Sequence, residues 1–243
     1  MRRHFDSAVP ELMDRSQPVT RELERDLANL RSLNRWFGSH GLIRHFLRRW
    51  LLPNSKARIL DVATGSGDIP RLIVDFARRQ NISVQVEAID QQASTIEIAR
   101  RLSAQYPQIE FFCADLLEWQ PAERYDVVLC SLTLHHFSED DAVRVLEKCR
   151  EFSRAHVLLA DLRRARWLSL AVHLVTATIY RDIMTKTDGR LSAARAFSFG
   201  EMQELAQRAG WQNFGHHKFA IGRQAIWIDS PSGAQSRNSK ATS

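Results

Sequence analysis

The chain has 243 residues, 44% of them hydrophobic and 26% charged, which is ordinary globular usage and excludes a chain that is disordered throughout. This length is enough for one α/β domain with a full core and some additions. The formal net charge is +6, but residues 1–57 hold 11 basic and 6 acidic residues and residues 231–243 hold two basic ones, so the middle of the chain is close to neutral. A domain that reads nucleic acid usually carries its basic excess on the fold itself, so we expect no nucleic-acid partner.

The two ends of the chain have the composition of accessory segments. Residues 1–19 are polar and contain two prolines, which predicts a flexible N-terminus, and residues 231–243 have the composition of a disordered tail. The first letters, MRRHFDSAVPEL, include basic residues but not the apolar core of a signal peptide. The cysteines form no CxxC motif, and Cys113 and Cys130 fall in apolar runs, which we interpret as inert buried thiols in a reducing cytoplasm.

Residues 20–57 are predicted to form two helices that cap the following domain. Leucines recur there at helical spacing, at Leu23, Leu27, Leu30 and Leu33. Gly38 and Gly41 interrupt this pattern, and a second apolar stretch, LIRHFLRRWLL, ends before Pro53.

From residue 58 to residue 230, strand-like and helix-like runs alternate. The strand-like runs are RILDVA, SVQVEAID, IEFFCAD, YDVVLCS and HVLLAD, and the helix-like runs cover 68–80, 92–105 and 139–152. Strands that are apolar throughout and alternate with helices indicate a parallel sheet covered on both faces. Two β-like runs with Gly222 between them end the domain and predict a hairpin that adds an antiparallel strand. The predicted fold is therefore α/β: a doubly wound, mostly parallel, seven-stranded Rossmann-like sheet with a C-terminal antiparallel strand.

Residues 163–198 do not continue the alternation of strands and helices and are predicted to be an inserted substrate cover. The insertion begins with an apolar stretch, WLSLAVHLVTATIY, which is too short to cross a bilayer and continues into a polar stretch. Because this stretch is apolar on nearly all sides, we expect it to be buried against another part of the chain. A helix is predicted to follow over 199–209.

The stretch ILDVATGSGDIP, residues 59–70, leads from the first strand into the first helix of the domain. Gly65 and Gly67 permit a tight turn and a close approach by a ligand, and the helix N-terminus offers free N–H groups to it. Asp90 and Asp115 follow the second and third strands, at the same predicted edge of the sheet. Any strand-to-helix turn can use two glycines, and each acid could instead cap a helix or a turn, but together they favour a nucleoside site.

The identity of the nucleoside depends on two positions of this loop. A dinucleotide fingerprint requires a third glycine where this chain has Pro70. A carboxylate such as Asp61 is also unfavourable beside a pyrophosphate, whereas through water it could help to hold an ammonium group. A ligand with a ribose and an amino acid portion satisfies both conditions, and S-adenosylmethionine is such a ligand.

Four stretches, ILDVATGSGDIP, VEAIDQQAS, FFCADLLEW and YDVVLCSLTLHHFSEDDAVRVLEKC, resemble as a set the successive motifs of class I S-adenosylmethionine-dependent methyltransferases. The loop DVATGSGD is similar to that of the ubiquinone and menaquinone biosynthesis C-methyltransferases, and NRWFGSHGLIRHFLRRW is similar to their N-terminal cap. The resemblance implies S-adenosyl-L-methionine as cofactor. The cofactor-binding residues it implies are Asp61, Ala63, Gly65, Ser66 and Gly67 for the methionine portion, Asp90 for the ribose, Asp115 and Leu116 for the adenine, and Ser131 facing the cofactor. Thr64 and Gln91, beside these residues, are also expected to bind the cofactor.

The chain departs from the quinone methyltransferases after the fourth strand, where it has His135 and His136 in place of an Arg-Asn pair. Because a phenolic acceptor must lose a proton and histidine titrates near neutral pH, our hypothesis is that one of the two is a general base or orients the substrate. The alternative is structural, with one histidine packed under the loop and the other capping the next helix. No HExxH or other tight ligand spacing appears in the sequence, so no metal site is predicted from it.

The predicted acceptor is a small lipophilic or aromatic molecule, methylated on oxygen or carbon. The cover and the N-terminal helices would roof an apolar pocket, with Arg163, Tyr180 and Arg195 as candidate substrate contacts and His173 as a packing residue. A peripheral membrane contact of this roof is a further expectation. Two other functions stay open on the residues alone: a non-catalytic protein that binds S-adenosylmethionine, and an RNA or protein methyltransferase. The sequence does not fix the oligomeric state.

Overall fold

The computed structural model describes residues 3–6, 8–9, 11–165, 167–168, 172 and 183–229. Tyr180, His173, most of the predicted roof helix and the predicted tail 231–243 lie outside the described residues, and so does the surface on which the predicted membrane contact depended. Within the described part of the chain, no helix has the length and apolar character needed to cross a membrane.

Seven strands form one sheet, in the order β3-β2-β1-β4-β5-β7-β6. The strands are β1 (Lys56–Val62), β2 (Ser83–Asp90), β3 (Ile109–Cys113), β4 (Tyr125–Ser131), β5 (Ser153–Leu162), β6 (Gly215–Phe219) and β7 (Arg223–Ile228). The first five pair in parallel, and β7 lies antiparallel between β5 and β6. This arrangement confirms the predicted fold, including the closing hairpin.

Helices cover both faces of the sheet. They are α1 (Arg21–Trp36), α2 (Ser39–Trp50), α3 (Asp68–Arg79), α4 (Ala93–Leu102), α5 (Glu139–Phe152), α6 (Ile183–Arg195) and α7 (Phe199–Arg208). Neighbouring residues of β1 serve opposite faces: Ile59 packs in the core beneath α2 and α3, and Leu60 packs in the core beneath α5 and α7. Because β1 is central and buried on both faces, it reads as a continuous apolar run rather than an alternating one.

The structure differs from the sequence prediction at three elements. Cys113 is exposed, since β3 is the edge strand of the sheet. Helix α2 begins at Ser39 and continues through Gly41, which the sequence placed in the break between the two cap helices. The polar stretch after residue 182, which the sequence left without an element, forms α6.

The N-terminal segment, residues 11–14, is also more ordered than the sequence predicted. Leu12–Asp14 form one turn of 3-10 helix, and the carboxylate of Asp188 on α6 accepts hydrogen bonds from the N–H groups of Leu12 and Met13, at 2.8 and 3.0 Å. A buried acid thus satisfies the free N–H groups of the turn, which fixes the segment against α6.

The hairpin of β6 and β7 gives a test of the packing at the antiparallel edge. A Cβ added at Gly215 would lie 2.0 Å from Cε2 of Trp227, so we expect Gly215→Ala to displace the indole and to lower the free energy of unfolding by about 1–3 kcal/mol. Gly200 on α7 is the matched control, because a Cβ there would meet no described atom within 4 Å. Urea denaturation measures both variants, and equal midpoints for Gly215→Ala and Gly200→Ala would contradict this account of the hairpin.

Candidate functional site

A cavity lies at the carboxyl ends of β1 and β4, with a volume of ≈ 220 Å³. It is lined by the loop between β1 and α3, the 3-10 helix Leu134–His136 after β4, helix α1 and the N-terminal segment. The apolar part of the lining includes Leu27, Leu30, Leu33, Phe37 and Ile69. Carboxyl ends of neighbouring parallel strands are the usual ligand-binding edge of such a sheet, and the cavity lies at that edge.

The loop between β1 and α3 turns through alternate residues with positive φ. These are Ala63 at 52°, Gly65 at 54° and Gly67 at 75°. A Cβ at Gly67 would lie 2.9 Å from the ring of Phe111, so this glycine is required for the close approach of the loop to the sheet edge. At Gly65 a Cβ would meet no described atom within 4 Å, which leaves the backbone there open to a ligand.

Asp61 lies at the buried end of β1, beside this loop. Its side chain is 2% exposed, and Oδ2 accepts a hydrogen bond from the Thr64 hydroxyl at 2.6 Å. Burial raises the pKa of Asp61 to about 8, an effect that the Thr64 hydrogen bond opposes and the charges of Asp68 and Asp90 reinforce. A buried carboxylate with so little compensation is suited to a cationic partner such as an ammonium group.

Asp90 ties β2 to the glycine loop. Its Oδ2 accepts the N–H of Gly65 at 2.9 Å, and its Oδ1 accepts the N–H of Gln92 at 3.0 Å. Burial raises the pKa of this carboxyl group, and the two backbone hydrogen bonds act in the opposite direction. The carboxylate oxygens keep free lone pairs, so they could still accept hydroxyl groups of a ribose.

The residues predicted for the cofactor divide into two sets by their place around the cavity. Six line it, namely Asp61, Ala63, Thr64, Gly65, Ser66 and Ser131. Five lie outside its lining but close to the same edge of the sheet, namely Gly67, Asp90, Gln91, Asp115 and Leu116. Asp115 and Gln91 are exposed, whereas Leu116 is buried in the core, with 7% of its surface exposed. A cofactor bound by these residues would have its methionine portion in the cavity and its ribose and adenine outside the cavity, along the same edge of the sheet.

His135 is buried and lines the cavity. Its Nδ1 lies 2.7 Å from Oδ1 of Asp161 at the end of β5, and its backbone N–H donates to Oδ2 of the same carboxylate at 2.9 Å. Burial acts to raise the pKa of Asp161, but the charge and hydrogen bond of His135 outweigh it and lower that pKa below its usual value. An ionised Asp161 can only accept, so Nδ1 of His135 carries the proton and Nε2 faces the cavity.

His136 has the same arrangement with a different acid. Its Nδ1 lies 2.7 Å from Oδ2 of Asp14 in the N-terminal segment. Burial opposes the charged imidazolium, but the carboxylates of Glu11 and Asp14 prevail and raise the pKa of His136 to about 9. The Nε2 atoms of His135 and His136 each lie 3.9 Å from an oxygen of Glu11, Oε1 for the first and Oε2 for the second.

Sequence reasoning identified the histidines but not the acids around them. Asp161 ends a strand-like run, as Asp61 and Asp90 do, and that position was a usable signal. Glu11 and Asp14 gave no signal, because they lie in the segment predicted to be flexible. Spacing along the chain also could not show that Glu11 meets the two histidines.

The predicted substrate contacts Arg163 and Arg195 lie outside the lining of the cavity. Arg195 is buried and donates to the backbone carbonyls of Asp6 and Val9, so it holds the N-terminus in place. Arg223 on β7, which the sequence did not single out, does line the cavity. Its Nη1 is buried with no hydrogen-bond partner among the described residues, and burial lowers its pKa to about 10.

The stretch that contains this site is similar to known methyltransferases. Residues 59–156 match the family described as methyltransferase domain. Two relatives share parts of the sequence. A 2-phytyl-1,4-naphtoquinone methyltransferase of Thermosynechococcus vestitus is 37% identical over a stretch that covers 33% of this chain and 35% of the relative. An N-terminal Xaa-Pro-Lys N-methyltransferase 1 of Danio rerio is 26% identical over a stretch that covers 60% of this chain and 65% of the relative. The chain therefore spans about a third of the first relative and just under two thirds of the second.

Solved structures share the fold. The plantazolicin methyltransferase BamL, in complex with a triazolic desmethylPZN analog and S-adenosylhomocysteine, has a TM-score of 0.65 at 15% identity, over 86% of this chain and 91% of its own. A related structure, the plantazolicin methyltransferase BpumL with S-adenosylhomocysteine, has a TM-score of 0.63 at 13% identity over the same shares. These structures show that the fold is shared, and the match to the methyltransferase domain agrees with the predicted class and with S-adenosylmethionine as cofactor.

The buried carboxyl group of Asp61 predicts a proton release on ligand binding. At pH 7 an Asp61 pKa of about 8 leaves the group mostly protonated, and the ammonium group of S-adenosylhomocysteine would favour the carboxylate and lower this pKa. We therefore expect the binding enthalpy at pH 7 to depend on the ionisation enthalpy of the buffer in the wild type and in Asp75→Asn, which changes an acid outside the cavity lining.

In Asp61→Asn the buffer dependence should be lost. Titration calorimetry in two buffers of different ionisation enthalpy measures it. A wild-type enthalpy that is the same in both buffers would show that Asp61 does not meet the ammonium group.

Proposed function

We propose that this chain, which carries a class I S-adenosylmethionine-dependent methyltransferase domain, transfers a methyl group to an oxygen or carbon of a small lipophilic or aromatic acceptor. The observation that carries the proposal is a mainly apolar cavity whose lining includes two polar clusters. The glycine loop with Asp61 is the first cluster, and Glu11 with the pair of histidines is the second.

The loop side fits the cofactor. Asp61, Thr64 and Ser66 would hold its methionine portion, and Asp90 would hold its ribose, with the open backbone at Gly65 between them. When bound, S-adenosylmethionine supplies a methyl group on a sulfonium, which a nucleophile displaces in line. The task left to the protein is to hold the acceptor atom in that line and to exclude water.

The rest of the cavity lining fits the acceptor. Leucines of α1 offer an apolar surface to a ring or chain, which favours a lipophilic molecule. His135 and His136 present Nε2 toward the interior, where they would orient a hydroxyl or enol group. The unpartnered Nη1 of Arg223 would be satisfied by a carbonyl or phenolate oxygen of the same molecule.

One of the two relatives supports this class of acceptor, and the other is named for a different one. The name of the Thermosynechococcus vestitus relative gives that protein a lipophilic naphthoquinone as its substrate, and that of the Danio rerio relative gives it protein N-termini. We propose the cytoplasm as the compartment, since Cys113, Cys130 and Cys149 are free thiols.

An acceptor screen with labelled S-adenosylmethionine tests the function. The pool contains alkylated phenols, hydroxynaphthoquinones and aromatic polyketides, with a peptide beginning Xaa-Pro-Lys and total RNA as the alternatives. Label transfer to the first group supports the proposal. Transfer only to peptide or RNA would overturn it, and intact cofactor binding with no transfer to any acceptor would favour a non-catalytic binding protein.

The histidine pair gives a second test of the acceptor side. We expect His135→Gln and His136→Gln to lower turnover by about 100-fold, because the acceptor atom loses its alignment. Binding of S-adenosylhomocysteine should be unchanged in both variants, since neither side chain belongs to the loop. His217→Gln, an exposed histidine on β6, is the control and should keep full turnover. Full turnover in both site variants would place the acceptor elsewhere.

A further inference from the structure

We propose that Glu11, His135 and His136 form a binding site for a divalent transition-metal ion at the acceptor side of the cavity. Within the described residues, the donor atoms of these side chains all lie within 4.8 Å of one another. The proposal that an ion binds here rests on this geometry alone, whereas the proposed role of the ion toward the acceptor rests on the proposed function.

The two imidazoles are arranged as metal ligands usually are. Each places Nδ1 at 2.7 Å from a carboxylate oxygen, of Asp161 for His135 and of Asp14 for His136. A carboxylate at Nδ1 fixes the proton there, orients the ring and makes Nε2 the more basic ligand atom. Both Nε2 atoms then face the same carboxylate, that of Glu11.

The side chain of Glu11 is also buried and held in position. Its side chain is 2% exposed, and Oε1 accepts a hydrogen bond from the Ser192 hydroxyl at 2.8 Å. Among the described residues, the two histidines are its only cationic partners within 4 Å, each at the long distance of 3.9 Å. A buried carboxylate is costly without a closer cation, and an ion between the three donors would supply one.

The charges around the site also favour a cation. Three carboxylates, those of Glu11, Asp14 and Asp161, meet two imidazoles. With one imidazole protonated, this group carries two excess negative charges, and a divalent ion that displaces that proton would leave one. Arg3 donates to the carbonyls of His135 and Phe137 rather than to these carboxylates, so it does not take the place of the ion.

The donor atoms would have to draw together around the ion. Zinc binds imidazole nitrogen and carboxylate oxygen at about 2.0–2.2 Å, so tetrahedral donors lie about 3.4 Å apart. The Nε2 to Glu11 distances of 3.9 Å would shorten by about half an ångström. The donor atoms as a set, which lie within 4.8 Å of one another, would move by up to about 1.4 Å through side-chain rotation at Glu11 and the two histidines. Two imidazoles and one carboxylate suit zinc, iron, cobalt or manganese, whereas magnesium prefers oxygen donors alone.

Three protein ligands leave positions at the ion open toward the cavity. An acceptor oxygen placed there would be held in position, and the positive charge would lower the pKa of its hydroxyl group. The pair of histidines would then orient the acceptor through the ion.

The test is a cobalt titration of tag-free, chelator-treated protein. We expect visible cobalt absorption that saturates at one ion per chain and is displaced by zinc but not by magnesium. His135→Gln, His136→Gln and Glu11→Gln should lose this absorption, and Asp14→Asn should weaken cobalt binding by about 10–100-fold, because it removes the acid that orients His136. His217→Gln should titrate as the wild type does.

Titration with S-adenosylhomocysteine on the same samples separates loss of the ion from loss of the fold. Unchanged affinity for this ligand in variants that no longer bind cobalt supports the proposal. No cobalt binding by the wild type, or equal binding by the Glu11 and histidine variants, would overturn it. Full methyl transfer by chelator-treated protein would overturn the ion's role in the reaction but would support the proposed function. Cobalt binding without any methylated acceptor would support the metal site but would count against the proposed function.

Discussion

The hydrogen bond from the Gly65 N–H to the Asp90 carboxylate is the contact on which the glycine-loop side of the cavity depends. The chain must reverse from β1 into α3 through residues with positive φ, and this bond fixes the reversal to the end of the neighbouring strand. The same turn keeps Asp61 buried beneath it and packs Gly67 against Phe111 at the edge of the sheet. A parallel sheet places all of these groups at one edge, so one local turn organises the whole loop side.

The histidine cluster depends on a different kind of constraint, namely contacts that hold the N-terminal segment against residues far away in the sequence. Asp188 on α6 and the guanidinium of Arg195 hold the first residues across the cavity, through the backbone groups that they bind. These contacts bring Glu11 and Asp14 to the histidines after β4. The result is a buried polar cluster in the lining of the same cavity as the glycine loop and the apolar side chains of α1.

The loop side could be predicted from the sequence because its determinants are local. Strand, glycine turn and helix follow one another within residues 59–70, and an acid after each strand shares the edge that a parallel sheet creates. Helix α5 was predicted with its observed bounds for a similar reason, since Ser138 caps it through the N–H of Asp141. The closing hairpin was also predicted, because Gly222 separates two clear β runs.

The acceptor side could not be predicted, because its contacts join residues far apart in the chain. Glu11 and Asp14 reach the site only because Asp188 binds the backbone of the segment between them, and the polar composition of that segment indicated flexibility. The sequence of α6 has no clear apolar face, so its helix was missed as well. Cys113 was placed in the core because strand patterns do not show which strand is at the edge.

Calorimetric titration of S-adenosylmethionine, S-adenosylhomocysteine and NADH into the purified protein, beside an Asp90→Ala variant, tests the assignment of the glycine loop most directly. Both adenosyl ligands should bind and NADH should not, and the variant should lose affinity for the adenosyl ligands while it stays folded. Preference for NADH, or no binding of any of the three ligands, would contradict the assignment of residues 59–70 as the S-adenosylmethionine loop.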